Sequence, residues 1–186
     1  IVLCIAAAAP THAADTKQAA LDKAFDAAMT PGEGQKRLQP MIGSFNVKIS
    51  TWVHPSKPPI ESTGSAVSSW VLGDRYVQTM LSSGDKDAAF NGIGYVAYDN
   101  VAKLYQAAWM DNGSTGMTWY SGRLDASGKS AVMKATTLNP VTGKPSPLEL
   151  RLTITPDGAH ASELWGMGLG TTMFKMMELR YTPVGK

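Results

Sequence analysis

The chain is poor in the residues that most site chemistry and most covalent bracing depend on. It has one cysteine, Cys4, and three histidines in 186 residues. A single thiol allows no intrachain disulfide and no thiolate metal site. His12, His54 and His160 are widely separated, and none belongs to a pair at metal-ligand spacing. A haem iron would need His54 or His160 as an axial ligand inside the fold, and no spacing selects either. Four methionines, Met167, Met173, Met176 and Met177, could offer soft ligands to Cu(I), but methionine more often fills irregular core space. No cofactor and no metal site is therefore expected. Charged residues make up 17%, below the usual quarter, and the net charge is +2. No basic run exceeds Lys36-Arg37, which argues against a nucleic-acid partner. There is no Gly-x-Ser-x-Gly elbow, no His-Glu-x-x-His motif and no phosphate loop. The glycines at 166, 168 and 170 have no strand–loop–helix unit around them. No catalytic residue is assigned.

Among the features present, the first is an N-terminal apolar run. Residues 1–9 are apolar, and Thr11, Ala13 and Ala14 come after them as small residues. This pattern reads as the back half of a secretory signal peptide with a cleavage point beside Ala14. The run is too short to span a bilayer as a helix. Leu3, before Cys4, is not the small residue that a lipoprotein site needs. The expectation is a signal remnant over 1–14 and a mature periplasmic or secreted chain with no transmembrane segment. Such a chain has no cysteine and must rest on its packed core.

Residues 15–42 form a helical lead-in. Leu21, Ala24, Phe25 and Ala28 share one face of a helix expected over 15–29, with Asp15 as N-cap and Thr30-Pro31-Gly32 as its stop. A shorter turn over 33–39 ends at Pro40, leaving Leu38, Met41 and Ile42 to pack against the strands beyond.

From Ser44 the period changes to two. Phe45, Val47, Ile49, Thr51 and Val53 alternate with Asn46, Lys48, Ser50 and Trp52, the mark of a half-buried strand. Further strands are expected over 62–72, 75–83, 90–99, 104–111, 116–124, 130–137, 148–155, 159–165 and 172–182. Short Gly, Asn, Asp and Pro turns separate them, so neighbours must be antiparallel. A flat sheet of that size would leave one face wet and two edges unpaired. Closure solves both problems, so the expected fold is mainly β: an antiparallel up-and-down β-barrel of about ten strands over 43–184, with an N-terminal helix. A two-sheet sandwich would need longer crossovers than these loops allow.

Several short motifs then fall in order: Gly43-Ser-Phe-Asn-Val, Trp70-Val-Leu-Gly-Asp-Arg75, Gly92-Ile-Gly-Tyr-Val-Ala-Tyr98-Asp99, Tyr105-Gln-Ala-Ala-Trp109-Met-Asp111, Asn139-Pro-Val-Thr-Gly143-Lys and Met177-Glu178-Leu-Arg180-Tyr181. Together they resemble the bacterial family called domain of unknown function 1579, over roughly residues 31–183. Two departures stand out. This chain has Leu72-Gly73-Asp74-Arg75 where the family pattern resembles Leu-Gly-Gly-Arg, and Gln35 where the family tends to carry His. The resemblance implies a barrel similar to the lipocalins and other calycins, and no activity.

Charges and aromatics on the strand candidates supply the site. Alternation groups Arg75 with Val77, Thr79 and Leu81. It groups Glu178 with Phe174, Met176 and Arg180, opposite Lys175, Met177, Leu179 and Tyr181. A guanidinium inside a barrel could clamp a ligand carboxylate, or simply pair with a Glu. Tyr105 and Trp109 share a face and could form a pocket wall or core. The ligand-binding candidates are therefore Arg75, Tyr105, Trp109, Glu178 and Arg180. The expected partner is a small apolar or amphipathic molecule with a possibly anionic end, held in the lumen. One alternative is a hydrolase, isomerase or lyase using Asp99 or Asp111 as a base, although both first read as turn residues. Another is an envelope interaction protein presenting Trp52 in an apolar patch.

Overall fold

The computed structural model describes residues 12–84, 89–125, 129–168 and 170–185, with side chains from residue 16 onward. The apolar run and Cys4 of the expected signal remnant lie outside the described residues. The chain divides into two compact units, residues 1–30 and 31–186. The first contains α1, His12–Met29, which starts three residues before the expected 15. Leu21, Phe25 and Met29 recur at four-residue spacing on α1 and are exposed. Among the described residues, no helix is long and apolar enough to cross a membrane.

The second unit opens with α2 (Glu33–Lys36) and a 3-10 turn (Gln39–Met41). Ten strands come next: β1 (Gly43–Thr51), β2 (Ile60–Val71), β3 (Tyr76–Ser83), β4 (Phe90–Asp99), β5 (Leu104–Asp111), β6 (Thr118–Leu124), β7 (Ser130–Leu138), β8 (Pro145–Ile154), β9 (His160–Gly166) and β10 (Phe174–Pro183). Each pairs antiparallel with its sequence neighbour, and β1 closes on β10, so the barrel has no free edge. The closing register places Val47 opposite Tyr181 and Ile49 opposite Leu179.

β8 starts at Pro145, three residues before its expected beginning. Pro145 and Pro147 pair with β7 at Leu138 and Thr136. The ladder to β9 begins only at Leu148, so on that side the prolines sit where no ladder bond is made.

Alternation sorts the side chains cleanly. Phe45, Val47, Ile49, Ala66, Val77, Leu81, Ala107, Tyr120, Met133, Leu152, Leu179 and Tyr181 are buried. The outward face of β8, β9, β10, β1 and β2 carries a chain of ion pairs, from Arg151–Glu149 on β8 to Lys48–Glu61 between β1 and β2. Over these five strands an apolar interior inside an ion-paired exterior is the reverse of the pattern of a bilayer-spanning barrel, whose apolar band faces out.

One end of the barrel is stoppered. Leu38 and Met41 are buried there, 1% and 4% exposed, in the core cluster that contains Val77 and Tyr105. Three side chains tie the stopper down. Gln35 Nε2 donates to the carbonyl of Tyr98 at 2.8 Å, Tyr105 donates its hydroxyl proton to the carbonyl of Gly34 at 3.3 Å, and Trp70 Nε1 donates to Gln39 Oε1 at 2.8 Å. Gln35 also accepts from the amide of Gly32 at 2.8 Å. The residue standing where the family pattern favours His is thus a structural latch in this chain.

Candidate functional site

The lumen contains a cavity of about 450 Å³. Its wall is mostly apolar: Ile49, Leu81, Val96, Trp109, Leu148, Leu150, Leu164 and Leu179 contribute, with Met41 of the stopper at the floor. Hydroxyls of Thr51, Ser62, Ser83 and Thr118 border it at the far end of the strands. Asp111, His160 and the tyrosines supply its titratable groups. No Lys or Arg lines it among the described residues.

Trp109, a sequence candidate, is part of this wall, and the strand register shows what fixes it. Gly94 stands directly across from Trp109, and Gly92 across from Asp111. Both glycines lie beneath the indole. A Cβ on Gly94 would sit 3.0 Å from the Trp109 ring, and one on Gly92 would collide with it. The indole N–H donates to Asp111 Oδ2 at 2.7 Å. The spacing Gly-x-Gly on one strand and Trp-x-Asp on the next is therefore one device: a bare patch of backbone, a ring laid flat on it, and a carboxylate that stops the ring from turning.

The floor holds a residue that the sequence did not single out. His160 begins β9, faces inward and is 5% exposed. Its ring stacks on Tyr181 at 4.2 Å and 9°, and meets Phe45 edge-on at 4.7 Å. Nδ1 lies 3.1 Å from the carbonyl oxygen of Gly158. Nε2 is a buried nitrogen with no hydrogen-bond partner among the described residues. Burial holds the imidazole pKa below its ordinary value, outweighing the opposite pull of the Gly158 carbonyl. Burial also raises the pKa of Tyr181, against a hydrogen bond with Ser162. A lone histidine without a spaced partner carries no motif. Its one signal is position, two and four residues before Ser162 and Leu164 on the face that lines the lumen.

The other sequence candidates lie elsewhere. Arg75 precedes β3 and is exposed, so it does not share the lumen with Val77, Thr79 and Leu81. The reason is the turn before it. Leu72, Gly73 and Asp74 have φ of 53°, 67° and 60°, three consecutive residues in the left-handed region. The guanidinium bends back and donates to the carbonyls of Leu72 at 3.1 Å and Gly73 at 3.0 Å. Arg75 is the clasp of that turn. Tyr105 faces inward but is packed at the floor, with its ring 5.0 Å from Tyr98, and lies below the cavity wall.

Glu178 and Arg180 point outward, so they too are not lumen residues. Met177, Leu179 and Tyr181 take the inward places. A register shift between Lys175 and Met177 breaks simple alternation and brings Lys175 to the side of Glu178. Glu178 is 7% exposed and is met by Arg180 Nη2 at 2.6 Å and Lys175 Nζ at 3.0 Å. Lys175 also reaches Glu163 at 3.3 Å and lies 4.9 Å above the Trp52 ring. Burial disfavours the charge on Lys175, yet its bonds to Glu178 and Glu163 raise its pKa overall. Burial likewise works against Glu163, but the Trp165 N–H and Lys175 hold its carboxyl below the ordinary range. Arg151 extends the network, bonded to Glu149 at 2.6 Å and stacked 4.3 Å over Trp165.

The remaining alternatives can be placed as well. Asp99 Oδ1 accepts from the amides of Val101 at 2.8 Å and Ala102 at 2.9 Å, capping a surface turn. Asp111 borders the cavity, but its oxygens already accept from Trp109 and from the amide of Gly113 at 2.9 Å. Both behave as turn residues first. Trp52 is half-buried under Lys175. Exposed apolar side chains of the outer wall include Val67 on β2, Met80 on β3, Trp119 on β6 and Leu138 on β7.

No curated protein matches the chain. A solved structure that does match is described as "Crystal Structure of Rv2717c from M. tuberculosis": it is 15% identical, covers 83% of this chain and 99% of that one, and superposes with a TM-score of 0.59. That likeness concerns the fold alone. The family described as protein of unknown function DUF1579 matches residues 30–182, and the chain belongs to it.

Proposed function

We propose that this protein binds a small, largely apolar molecule inside its barrel. One observation carries the reading: a cavity of about 450 Å³ walled by leucines and a fixed tryptophan. Pockets for small molecules run from roughly 300 to 1,000 Å³ and combine an apolar wall with a few placed polar groups. A filled core would leave no such space. The charge pattern refines the ligand. With Arg75, Glu178 and Arg180 outside the lumen, nothing in the lining would hold an anion. Asp111 would repel one. A cationic head would lose its hydration against a leucine wall while Asp111 is already bonded to Trp109 and Gly113, so an uncharged ligand fits this lining best.

We further propose that the protein is exported, on the strength of the apolar run and small residues over 1–14. One preparation tests both readings. Native mass spectrometry of protein from the periplasmic fraction of its own cells is expected to show a chain starting next to Ala14 and a retained neutral molecule. The neutral dye Nile red should enter the emptied barrel and quench Trp109 fluorescence. Recovery of bare protein that also takes up no Nile red would end the binding reading. Recovery of a full-length precursor in the cytoplasm would end the export reading.

A further inference from the structure

The cavity floor says more about the ligand than its apolarity. Gly158 offers His160 a carbonyl, which can only accept, so Nδ1 must carry the ring proton. In the neutral ring Nε2 is then a bare lone pair. Burial keeps the ring in that neutral form near pH 7. The stack on Tyr181 and the edge of Phe45 fix the ring's orientation, so Nε2 cannot swing away to find a partner. Tyr181, whose ring is stacked on His160, has its own hydroxyl engaged by Ser162. Nε2 is thus a held acceptor, and leaving such a group unmatched when buried costs about 1–3 kcal/mol. His160 lines the cavity, while Nε2 itself is closed to a water-sized probe, so a donor meets it only from the lumen side and only once the side chains beside it give way.

We infer that the ligand carries a neutral hydrogen-bond donor, a hydroxyl or N–H, at its buried end, and that this group donates to Nε2 of His160 while the rest of the molecule lies along the leucine wall. The inference rests on the lumen-binding reading and narrows it to alcohols, phenols and similar neutral donors. Apolar molecules without a donor would fit the wall and waste the floor.

Two isomers with the same atoms isolate the point: decan-1-ol, which has a donor, and 1-methoxynonane, which has none. Displacement of Nile red from the full-length protein gives the affinity of each. The alcohol is expected to bind about five- to tenfold more tightly, the fold-change matching one net hydrogen bond. In His160→Phe, whose ring keeps the stack on Tyr181, the ratio should fall to about one while both isomers still bind. In His160→Gln, whose amide oxygen restores an acceptor, part of the preference should return. Equal affinities in the natural protein, as when water already serves Nε2, would overturn the inference. So would a preference that survives His160→Phe. A Soret band in the purified protein that His160→Phe abolishes would also overturn it, because the lone pair would then belong to iron. If neither isomer displaces bound Nile red, the inference falls with lumen binding of such chains. If the dye itself never binds, the lumen reading alone has failed first.

Discussion

Glu178 and His160 are both more than nine-tenths buried, one outside the barrel wall and one inside it. They solve burial in opposite ways. Glu178 is met by two cations, Arg180 at 2.6 Å and Lys175 at 3.0 Å. Lys175 in turn is shared with Glu163 and covered by Trp52, so the charges compensate one another across β9 and β10. His160 has one carbonyl and two aromatic neighbours, and its remaining nitrogen is unmatched. At Glu178 the charge is matched by its own neighbours, as in a structural ion-pair network. The unmatched nitrogen of His160 is where a ligand's chemistry can enter. Perturbed titration alone would not separate the two places, since Lys175 and Glu163 of the outer patch are shifted as His160 is. The count of satisfied partners does.

The comparison can be broken at three points. The largest effect is expected from Glu178→Ala, which leaves Lys175 and Arg180 facing each other without their anion. Urea unfolding should show a loss of about 2–3 kcal/mol, below the full cost of breaking a buried pair because both partners keep contact with water. A loss no larger than that of a surface mutant would mean that the outer patch is not a compensated network.

His160→Phe should act in the other direction. Removing the unmatched nitrogen while keeping the ring is expected to leave stability equal or to raise it by about 1 kcal/mol at pH 7.5. It should also remove a pH dependence. The folded pKa of His160 lies below the ordinary 6.5, so the unfolded chain takes up the proton first. Its contribution is whole above 6.5 and is lost as pH falls from there through the folded value, with a slope of up to about 1.4 kcal/mol per pH unit. Unfolding curves at pH 7.5 and 5.5 should therefore diverge more for the natural protein than for the variant. Parallel behaviour of the two would show that His160 is not held neutral.

The smallest effect belongs to Arg180→Ala. Its side chain is 65% exposed, and Lys175 still covers Glu178, so a loss under about 1 kcal/mol is expected by the same unfolding assay.

Much of the fold is legible in the sequence because a barrel repeats one rule. Strand alternation over β1 identifies Phe45, Val47 and Ile49 as inward, and they are. The rule fails where one residue is out of step. At β10 the shift between Lys175 and Met177 puts Lys175 on the same side as Glu178, which no period of two can show. At Arg75 the alternation has already given way to a turn, whose left-handed backbone the guanidinium serves. Pro145 and Pro147 hide the start of β8, because a proline reads as a breaker unless the unpaired side of its strand is known. The site is half legible. Trp109 can be chosen from sequence because alternation puts it on one face with Tyr105, a pair of aromatics fit for a wall; that the glycines across from it and Asp111 fix its ring shows only in the strand register. His160 cannot, since its meaning comes from Gly158, Tyr181 and Phe45 meeting around it, and from what fails to meet it.

The stopper formed by α2 and the Gln39–Met41 turn has a kinetic corollary. With Leu38 and Met41 seated and latched by Gln35, Tyr105 and Trp70, the barrel is a blind tube. Traffic in a blind tube is single-file and has a heading. Under the proposed lumen binding, a molecule's leading end would travel furthest and leave last, while its trailing end stayed beside the rim hydroxyls. A long molecule could not turn round inside, so the end that enters first would be the end that is kept deepest.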